Sequence, residues 1–257
     1  FAVLIVSLFF FVGCSKKDSN VLTVGATPEP HAAMLKLVED NLAEEGITLK
    51  VIDFTDYVTP NEALEGGQLD ANFFQHLPYM DSFNAERGYH LVNAGGIHIE
   101  PVALYSKKIS SVDEIKDGAT IAIPNDPTNE GRALLLLQSA GLIKLDENAG
   151  ITATPQNIVE NPKNIKFHEI EAASLPRVLL DVDAAVINGN YALEAGLTAD
   201  QGLAFEASDS AGAQTFANIL VVKEGNENNE AIQKLVAALT SEECRSFIDS
   251  TYGGMVL

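Results

Sequence analysis

Apolar positions in the first part of the chain change from the spacing of a strand to that of a helix and back. Residues 21–25 form a short apolar run, which predicts a buried strand. Residues 29–45 place apolar side chains every three or four positions, which predicts a helix that ends at Gly46. Residues 47–54 predict a second strand. This order implies two parallel strands joined by a right-handed crossover.

The same pattern returns later in the chain. The predicted strands are 119–124, 165–170, 184–188 and 219–223, and the predicted helices are 127–140, 175–181, 228–240 and 241–249. One block of β-α-β elements lies before about residue 105 and another after about residue 115, which predicts two α/β lobes. The last strand and the two terminal helices could complete either lobe.

The N-terminus begins with an apolar run that is too short to cross a membrane. Residues 1–12 carry almost only apolar side chains, whereas a membrane-spanning helix needs ~20. The run fits the apolar core of a secretory signal, and a small residue and Cys14 follow it. This arrangement resembles a bacterial lipoprotein signal. The resemblance implies a signal segment over 1–13, a lipid on Cys14 and a polar tether over 14–20.

The residues before Cys14 depart from the usual lipoprotein pattern. Phe11 and Val12 stand where that pattern has a Leu and a small residue. The alternative is a buried N-terminal strand with an ordinary free cysteine. With Cys14 lipidated, Cys244 has no disulfide partner and is predicted to be a small buried hydrophobe. The signal predicts a lipoprotein anchored to the bacterial cell membrane and facing the periplasm or the cell exterior.

The charge of the chain excludes one class of partner. The 257 residues include 16 Lys and Arg against 36 Asp and Glu, which gives a formal net charge of −20. Such an acidic chain repels phosphate backbones, so we expect no nucleic-acid partner. A hydrophobic content of 46% with 20% charged residues is typical of a globular protein. The five histidines show no metal-ligand spacing, so we expect no metal and no cofactor.

The segment IAIPNDPTNEGRAL, residues 121–134, combines the end of a strand with the start of a helix. Asp126 suits the N-cap position and Pro127 the first helical position. Arg132 then lies in the first two turns, near unpaired N–H groups and the positive end of the helix dipole. An Arg fork beside these donors suits a bidentate carboxylate. The alternative is an Arg paired with a neighbouring Glu on a solvated face.

A second segment, DANFFQHLPY at residues 70–79, groups aromatic side chains with polar tips and prolines. Tyr57 lies in a similar setting in a preceding loop. Such side chains can line an apolar pocket while Tyr and His groups still form hydrogen bonds, and a thioether packs well against aromatic edges. The alternative is ordinary core packing at the end of a strand. His76 stands alone among polar neighbours, so it is not interpreted as a metal ligand.

Asparagines flank two of the predicted buried strands. Asn188 and Asn190 lie at the end of one strand, separated by Gly189, and Asn218 directly precedes another. Open α/β sheets bind ligands at the C-terminal ends of their strands, and Asn carbonyls could receive an ammonium group. The alternative is turn chemistry, because Asn-Gly is a common turn pair.

Several stretches taken together resemble one known family. They are NFFQHLPY at 72–79, YHLV at 89–92, PNDPTNEGR at 124–132, EAASLPR at 171–177 and AVINGNYA at 185–192. These motifs closely resemble the NlpA family of lipoproteins. The resemblance implies an α/β, two-lobed periplasmic-binding-protein-like fold with a ligand cleft between the lobes. It implies a first lobe of residues 20–105 plus 217–257 and a second lobe of residues 106–216.

The resemblance also implies roles for the candidate side chains. Arg132 is implied to hold the carboxylate of a bound amino acid, and Asn188 and Asn218 its amino group. The residues implied to surround the ligand's side chain are Phe74, His76, Tyr79 and Tyr57. Asn129 and Asn190 are implied to make indirect or water-mediated contacts.

The function implied by the resemblance is that of a substrate-binding protein. It captures L-methionine or D-methionine and delivers it to the permease and ATPase of an ABC importer. We expect a monomer that is attached to the lipid membrane through Cys14. The alternatives are the same role for a methionine-containing dipeptide or another amino acid, and a surface lipoprotein that only engages partner proteins. An enzyme lacks support, because the chain has no GxSxG, P-loop or GxGxxG motif and no nucleophilic Cys with a suitable base.

Overall fold

The computed structural model of the chain describes residues 20–207 and 214–257. Cys14 and the predicted signal segment lie outside the described residues, as do residues 208–213 of the predicted second lobe. Within the described ranges, the helices are all too short or too polar to cross a membrane.

Strands and helices alternate along the described chain. The strands are β1 (Val21–Ala26), β2 (Thr48–Asp53), β3 (Ala71–His76), β4 (Leu91–His98), β5 (Ala103–Tyr105), β6 (Thr120–Pro124), β7 (Lys144–Leu145), β8 (Ile158–Glu160), β9 (Lys166–Ile170), β10 (Ala184–Ile187), β11 (Gly202–Phe205) and β12 (Asn218–Lys223). The α-helices are α1 (Ala33–Leu37), α2 (Glu39–Glu44), α3 (Thr59–Glu65), α4 (Leu77–Arg87), α5 (Pro127–Ser139), α6 (Gly189–Glu194), α7 (Glu230–Leu239) and α8 (Glu242–Thr251). A π-helical turn spans Pro28–Ala32, and 3₁₀ helices span Val112–Glu114, Gly150–Thr152, Pro155–Asn157, Ala172–Val178 and Ala199–Gln201.

The strands form two five-stranded sheets and one small pair, β7 with β8. The first sheet has the order β2-β1-β3-β12-β4, in which β1 runs parallel to β2 and β3 while β12 runs antiparallel to β3 and β4. The second sheet has the order β11-β5-β10-β6-β9, in which β6 runs parallel to β9 and β10. Two sheets with their own helices confirm the predicted two-lobed α/β fold.

Each sheet is covered by helices that bury an apolar face. Helices α1, α2, α7 and α8 pack on the first sheet, where Leu35 and Leu235 are fully buried. Helix α5 covers the second sheet with Leu134 and Leu137, which are also fully buried. Cys244 of α8 is fully buried in the first core, which confirms its prediction as a small hydrophobe. The removal of these faces from water is the main stabilisation of each lobe.

Two predicted helices differ from the structure. The helix predicted over 29–45 is preceded by the π-helical turn and is interrupted at Val38, whose φ of −91° and ψ of 0° separate α1 from α2. The helix predicted over 175–181 is instead the 3₁₀ helix Ala172–Val178. Pro176 lies inside it and has no N–H to donate to an α-helical ladder.

The chain passes from one sheet to the other in two segments. Residues 99–102 connect β4 to β5, and residues 206–217 connect β11 back to β12. Strand β5 belongs to the range predicted for the first lobe, but it pairs antiparallel with β10 and β11 in the second sheet. Its Leu104 is fully buried in the second core, which explains why the crossing comes before residue 105.

Candidate functional site

A cavity of about 320 Å³ lies between the two lobes. Its walls are formed by Tyr57, Phe74, Gln75, His76, Tyr79, Glu100, Asn129, Arg132, Asn188, Gly189, Asn190 and Asn218. Every side chain that was predicted to contact a ligand thus lies in the lining of this cavity. Their binding roles remain predictions. A concave site with aromatic walls and a few convergent polar groups suits a small ligand.

One side of the cavity is aromatic. Strand β3 alternates its side chains between two faces, so Phe74 lines the cavity while Phe73 is fully buried in the core of the first lobe. The Tyr57 ring centroid lies 5.8 Å from those of Phe74 and Tyr79. The Tyr57 hydroxyl donates to Oδ1 of Asn190 at 2.5 Å, a bond between the lobes. Burial raises the pKa of Tyr57 well above its ordinary value, so this hydroxyl stays a neutral donor.

His76 is a neutral hydrogen-bond donor in this wall. Its Nδ1 caps α4 by accepting the N–H of Tyr79 at 3.1 Å. The ring proton therefore lies on Nε2, which donates to Oδ1 of Asn129 at 3.2 Å. Burial, followed by the charge of Arg132, lowers the pKa of His76 to about 3. The uncharged ring thus links α4 of the first lobe to α5 of the second.

A chain of amide hydrogen bonds sets the orientation of Asn188. Oδ1 of Asn129 accepts Nδ2 of Asn188 at 2.7 Å, and Nδ2 of Asn129 donates to the carboxylate of Asp126, the N-cap of α5. Because Nδ2 of Asn188 donates to Asn129, its Oδ1 points away from Asn129 and can accept a hydrogen bond from another group. This oxygen is buried and has no hydrogen-bond partner among the described residues. An unmet buried acceptor costs about 1–3 kcal/mol, so a donor on a ligand would be stabilised here.

Arg132 lies in the second turn of α5 and is only 3% exposed. Its Nε donates to the Glu206 carboxylate at 3.0 Å, and its Nη2 donates both to that carboxylate and to the carbonyl oxygen of Glu100 at 2.8 Å. The Phe216 ring stacks 4.5 Å from the guanidinium carbon. The sequence offered a neighbouring Glu on a solvated face as the alternative partner of Arg132. The acid found here is instead 74 residues away, and its side chain is only 13% exposed. Nη1 takes no part in these bonds.

Glu100 lies between two buried histidines. Its Oε1 accepts Nε2–H of His98 at 2.7 Å and lies 3.2 Å from Nε2 of His31. Nδ1 of His31 lies 2.7 Å from the Thr27 hydroxyl, and its Nε2 donates to Oδ1 of Asn218 at 3.3 Å. Burial lowers the pKa of His31 to about 4. Burial alone would raise the pKa of Glu100, but the nearby His31, His98 and Arg132 outweigh burial and lower this pKa below its ordinary value.

The chain matches known proteins over nearly its whole length. The family model described as NlpA lipoprotein matches residues 22–257. The chain belongs to the NlpA lipoprotein family. This confirms the resemblance that the sequence motifs predicted.

Members and structural neighbours similar to this NlpA-family chain share most of its length. It is 44% identical to the D-methionine-binding lipoprotein MetQ of Salmonella typhimurium, over 94% of this chain and 89% of that protein. A periplasmic substrate-binding protein of an ABC transporter from Coxiella burnetii is 42% identical, with a TM-score of 0.87 over 92% of this chain and 99% of that one. A nutrient-binding protein from Burkholderia cenocepacia bound to methionine is 45% identical, with a TM-score of 0.87 over 92% and 98%.

Four residues of this NlpA-family site were not predicted from the sequence. Gln75 and Gly189 lie inside the family motifs, but only neighbouring residues of those motifs were predicted to contact a ligand. Glu100 lies in the first crossing segment, and an acid at a crossing between lobes was a signal that could have identified it. Phe216 has no local signal, because its contact with Arg132 joins distant parts of the chain.

One group in the NlpA-family fold has the composition of a metal site. Among the described residues, only His31, His98 and Glu100 bring three potential ligand atoms within 4.8 Å of one another. The Nε2 atoms of both histidines carry protons directed at Glu100, so they act here as hydrogen-bond donors. The two histidines therefore hold the Glu100 carboxylate in a fixed orientation.

Proposed function

We propose that this protein is an extracytoplasmic substrate-binding lipoprotein that captures methionine between its lobes and delivers it to an ABC importer. The observation that carries the proposal is the cavity, which sets an aromatic wall beside a buried Arg and an unpartnered amide oxygen. The names of the Salmonella, Coxiella and Burkholderia proteins support it. Those names describe binding proteins, so we propose no enzymatic activity.

The proposed ligand orientation follows from the charges of an amino acid. A zwitterion that leaves water needs partners for both charges, or desolvation prevents binding. Nη1 of Arg132 would receive the carboxylate, and the amide oxygens of Asn188 and Asn218 would receive the ammonium group. The thioether would lie along Phe74 and Tyr57, since sulfur packs well against aromatic rings.

This proposal is tested by identifying the small molecule that is released when the purified protein is denatured. Mass spectrometry is expected to detect methionine, and calorimetry on ligand-stripped protein is expected to show L-methionine or D-methionine binding with one site. A different amino acid or a methionine-containing dipeptide would keep the mechanism and change the specificity. An empty protein that also fails to bind added methionine would contradict the proposal and favour a surface interaction protein.

Attachment to the membrane is tested at Cys14. We propose that a lipid on this cysteine holds a monomer beside the permease and ATPase of the importer. The precursor carrying Cys14→Ala is expected to leave the membrane fraction, because a protein without its lipid chains loses the apolar anchor. Immunoblots of fractionated cells measure this, with Cys244→Ala as the control that keeps the anchor. A Cys14→Ala protein that stays in the membrane fraction would exclude lipid attachment at this residue.

A further inference from the structure

Three buried amide side chains form a hydrogen-bond network behind the aromatic side of the cavity. Asn61 and Asn72 are fully buried, and Gln75 is 3% exposed. Nδ2 of Asn61 donates to Oε1 of Gln75 at 3.0 Å, and Nε2 of Gln75 donates back to Oδ1 of Asn61 at 2.7 Å. Oδ1 of Asn72 accepts Nε2 of Gln75 at 2.9 Å. Nδ2 of Asn72 donates to Oδ1 of Asn61 at 2.8 Å and to the carbonyl oxygen of Pro60 at 3.2 Å.

This amide network gains little stability over apolar packing at the same place. A buried amide loses its hydrogen bonds to water, and the bonds that it makes inside the protein mainly offset that loss. The buried nitrogen and oxygen atoms of the network all have partners among the described residues. A satisfied buried network fixes one arrangement of its members, whereas apolar side chains of similar size can repack. The network therefore suits a role in positioning.

The amide network joins two segments that carry aromatic side chains of the cavity. Asn61 lies in the first turn of α3, shortly after Tyr57 in the chain. Gln75 lies in β3 between Phe74 and His76. A shift of Gln75 relative to Asn61 would therefore move Phe74 and His76 relative to Tyr57.

Gln75 also marks the end of a bulge in β3. In the pairing of β3 with β12, Phe74 has no partner residue, although Phe73 and Gln75 on either side of it have one. A regular strand turns alternate side chains to opposite faces, and a bulge interrupts this alternation. The interruption explains why three consecutive side chains, Phe74, Gln75 and His76, all line the cavity. The amide network thus holds the residue at which the bulge ends.

We propose that Asn61 and Asn72 are positioning residues that act through Gln75. They hold the bulge of β3 against the segment of Tyr57 and so fix the shape of the aromatic side of the cavity. Neither of the two lies among the residues that line the cavity. The inference rests on the proposed function and deepens it, because a wall of fixed shape selects ligands by the length of the side chain.

The test compares methionine with ethionine, which has the same amino and carboxylate groups and one extra methylene on its sulfur atom. Calorimetry on ligand-stripped wild-type protein is expected to show a preference for methionine of roughly 10-fold or more, the usual effect of one methylene in an apolar pocket. Asn61→Ala removes three of the five bonds of the network. In this variant the preference is expected to fall to about 3-fold or less, because the wall can then yield to the longer side chain.

The ratio of the two affinities separates positioning from a purely structural role, because general destabilisation weakens the binding of both compounds equally. Asn161→Ala is the matched control in the second lobe. It loses two hydrogen bonds to the backbone of Ile165, at 2.9 and 2.8 Å, and lies outside the cavity wall. We expect it to keep the wild-type ratio. Asn61→Asp is expected to keep more of the preference than Asn61→Ala, since its carboxyl oxygen can still accept both amide donors.

Asn72→Ala also removes three of the five bonds and is the second variant if Asn61→Ala does not fold. A folded variant of either kind that keeps the wild-type ratio overturns the inference, and so does a wild-type protein that binds both compounds equally. Wild-type protein that binds neither compound contradicts the proposed function itself.

Discussion

Replacing Arg132 with alanine is expected to weaken methionine binding by about 2–5 kcal/mol, the usual cost of removing one partner of a buried charged pair. The ligand carboxylate would lose its cation at a position where little water can replace it, since Arg132 is 3% exposed. Calorimetry on ligand-stripped protein measures the loss. Arg132→Lys keeps the charge but not the planar fork, so we expect it to recover only part of the affinity.

Arg87 provides a matched control. It also stacks on a phenylalanine, with its guanidinium carbon 5.2 Å from the Phe83 ring, and it also pairs with an acid, Glu62, at 3.1 Å. It lies on the surface and outside the cavity wall. Arg87→Ala is therefore expected to bind methionine like the wild type. Equal affinity of folded Arg132→Ala and Arg87→Ala would show that the carboxylate is bound elsewhere.

Replacing Glu206 with alanine is expected to lower the free energy of unfolding by about 3–5 kcal/mol. The cause is the buried guanidinium of Arg132, which would keep its charge and lose the carboxylate that holds two of its nitrogens. Urea unfolding followed by circular dichroism measures the change, on ligand-stripped protein so that binding does not add to stability.

Glu160 is the control for this prediction. It pairs with Lys144 at 2.9 Å, but both side chains are more than half exposed. Glu160→Ala is expected to change the free energy of unfolding by at most about 1 kcal/mol, as exposed pairs do. If the two variants are equally stable, the Arg132–Glu206 pair contributes no more than a surface pair.

Much of the fold could be predicted because its signals are local. Apolar runs identified β1, β2 and β6, and the Asp126-Pro127 start of α5 follows from capping preferences that involve adjacent residues. The same holds for Asn188 and Asn190, which a strand end and the family motif identified together. Two interruptions were missed, at Val38 and Pro176, where backbone geometry decided against a continuous α-helix.

The remaining parts of the site depend on contacts between residues far apart in the chain. Arg132 meets Glu206 across 74 positions, and His31 meets Asn218 across 187. Hydrophobic periodicity carries no information about such pairs, because it reports only the face of one element. His31 was assigned to a helix, and its role as a hydrogen-bond donor to Glu100 became visible only once both lobes were assembled.

The two crossing segments meet at one side chain. Arg132 binds the backbone of Glu100 in residues 99–102 and the carboxylate of Glu206 in residues 206–217. Glu100 and Glu206 both lie where the chain passes between the lobes, and the same guanidinium lines the cavity. We therefore expect the binding of a ligand in the cavity to change the angle between the lobes. A transporter that recognises this angle can distinguish the ligand-bound from the ligand-free protein without contacting the ligand.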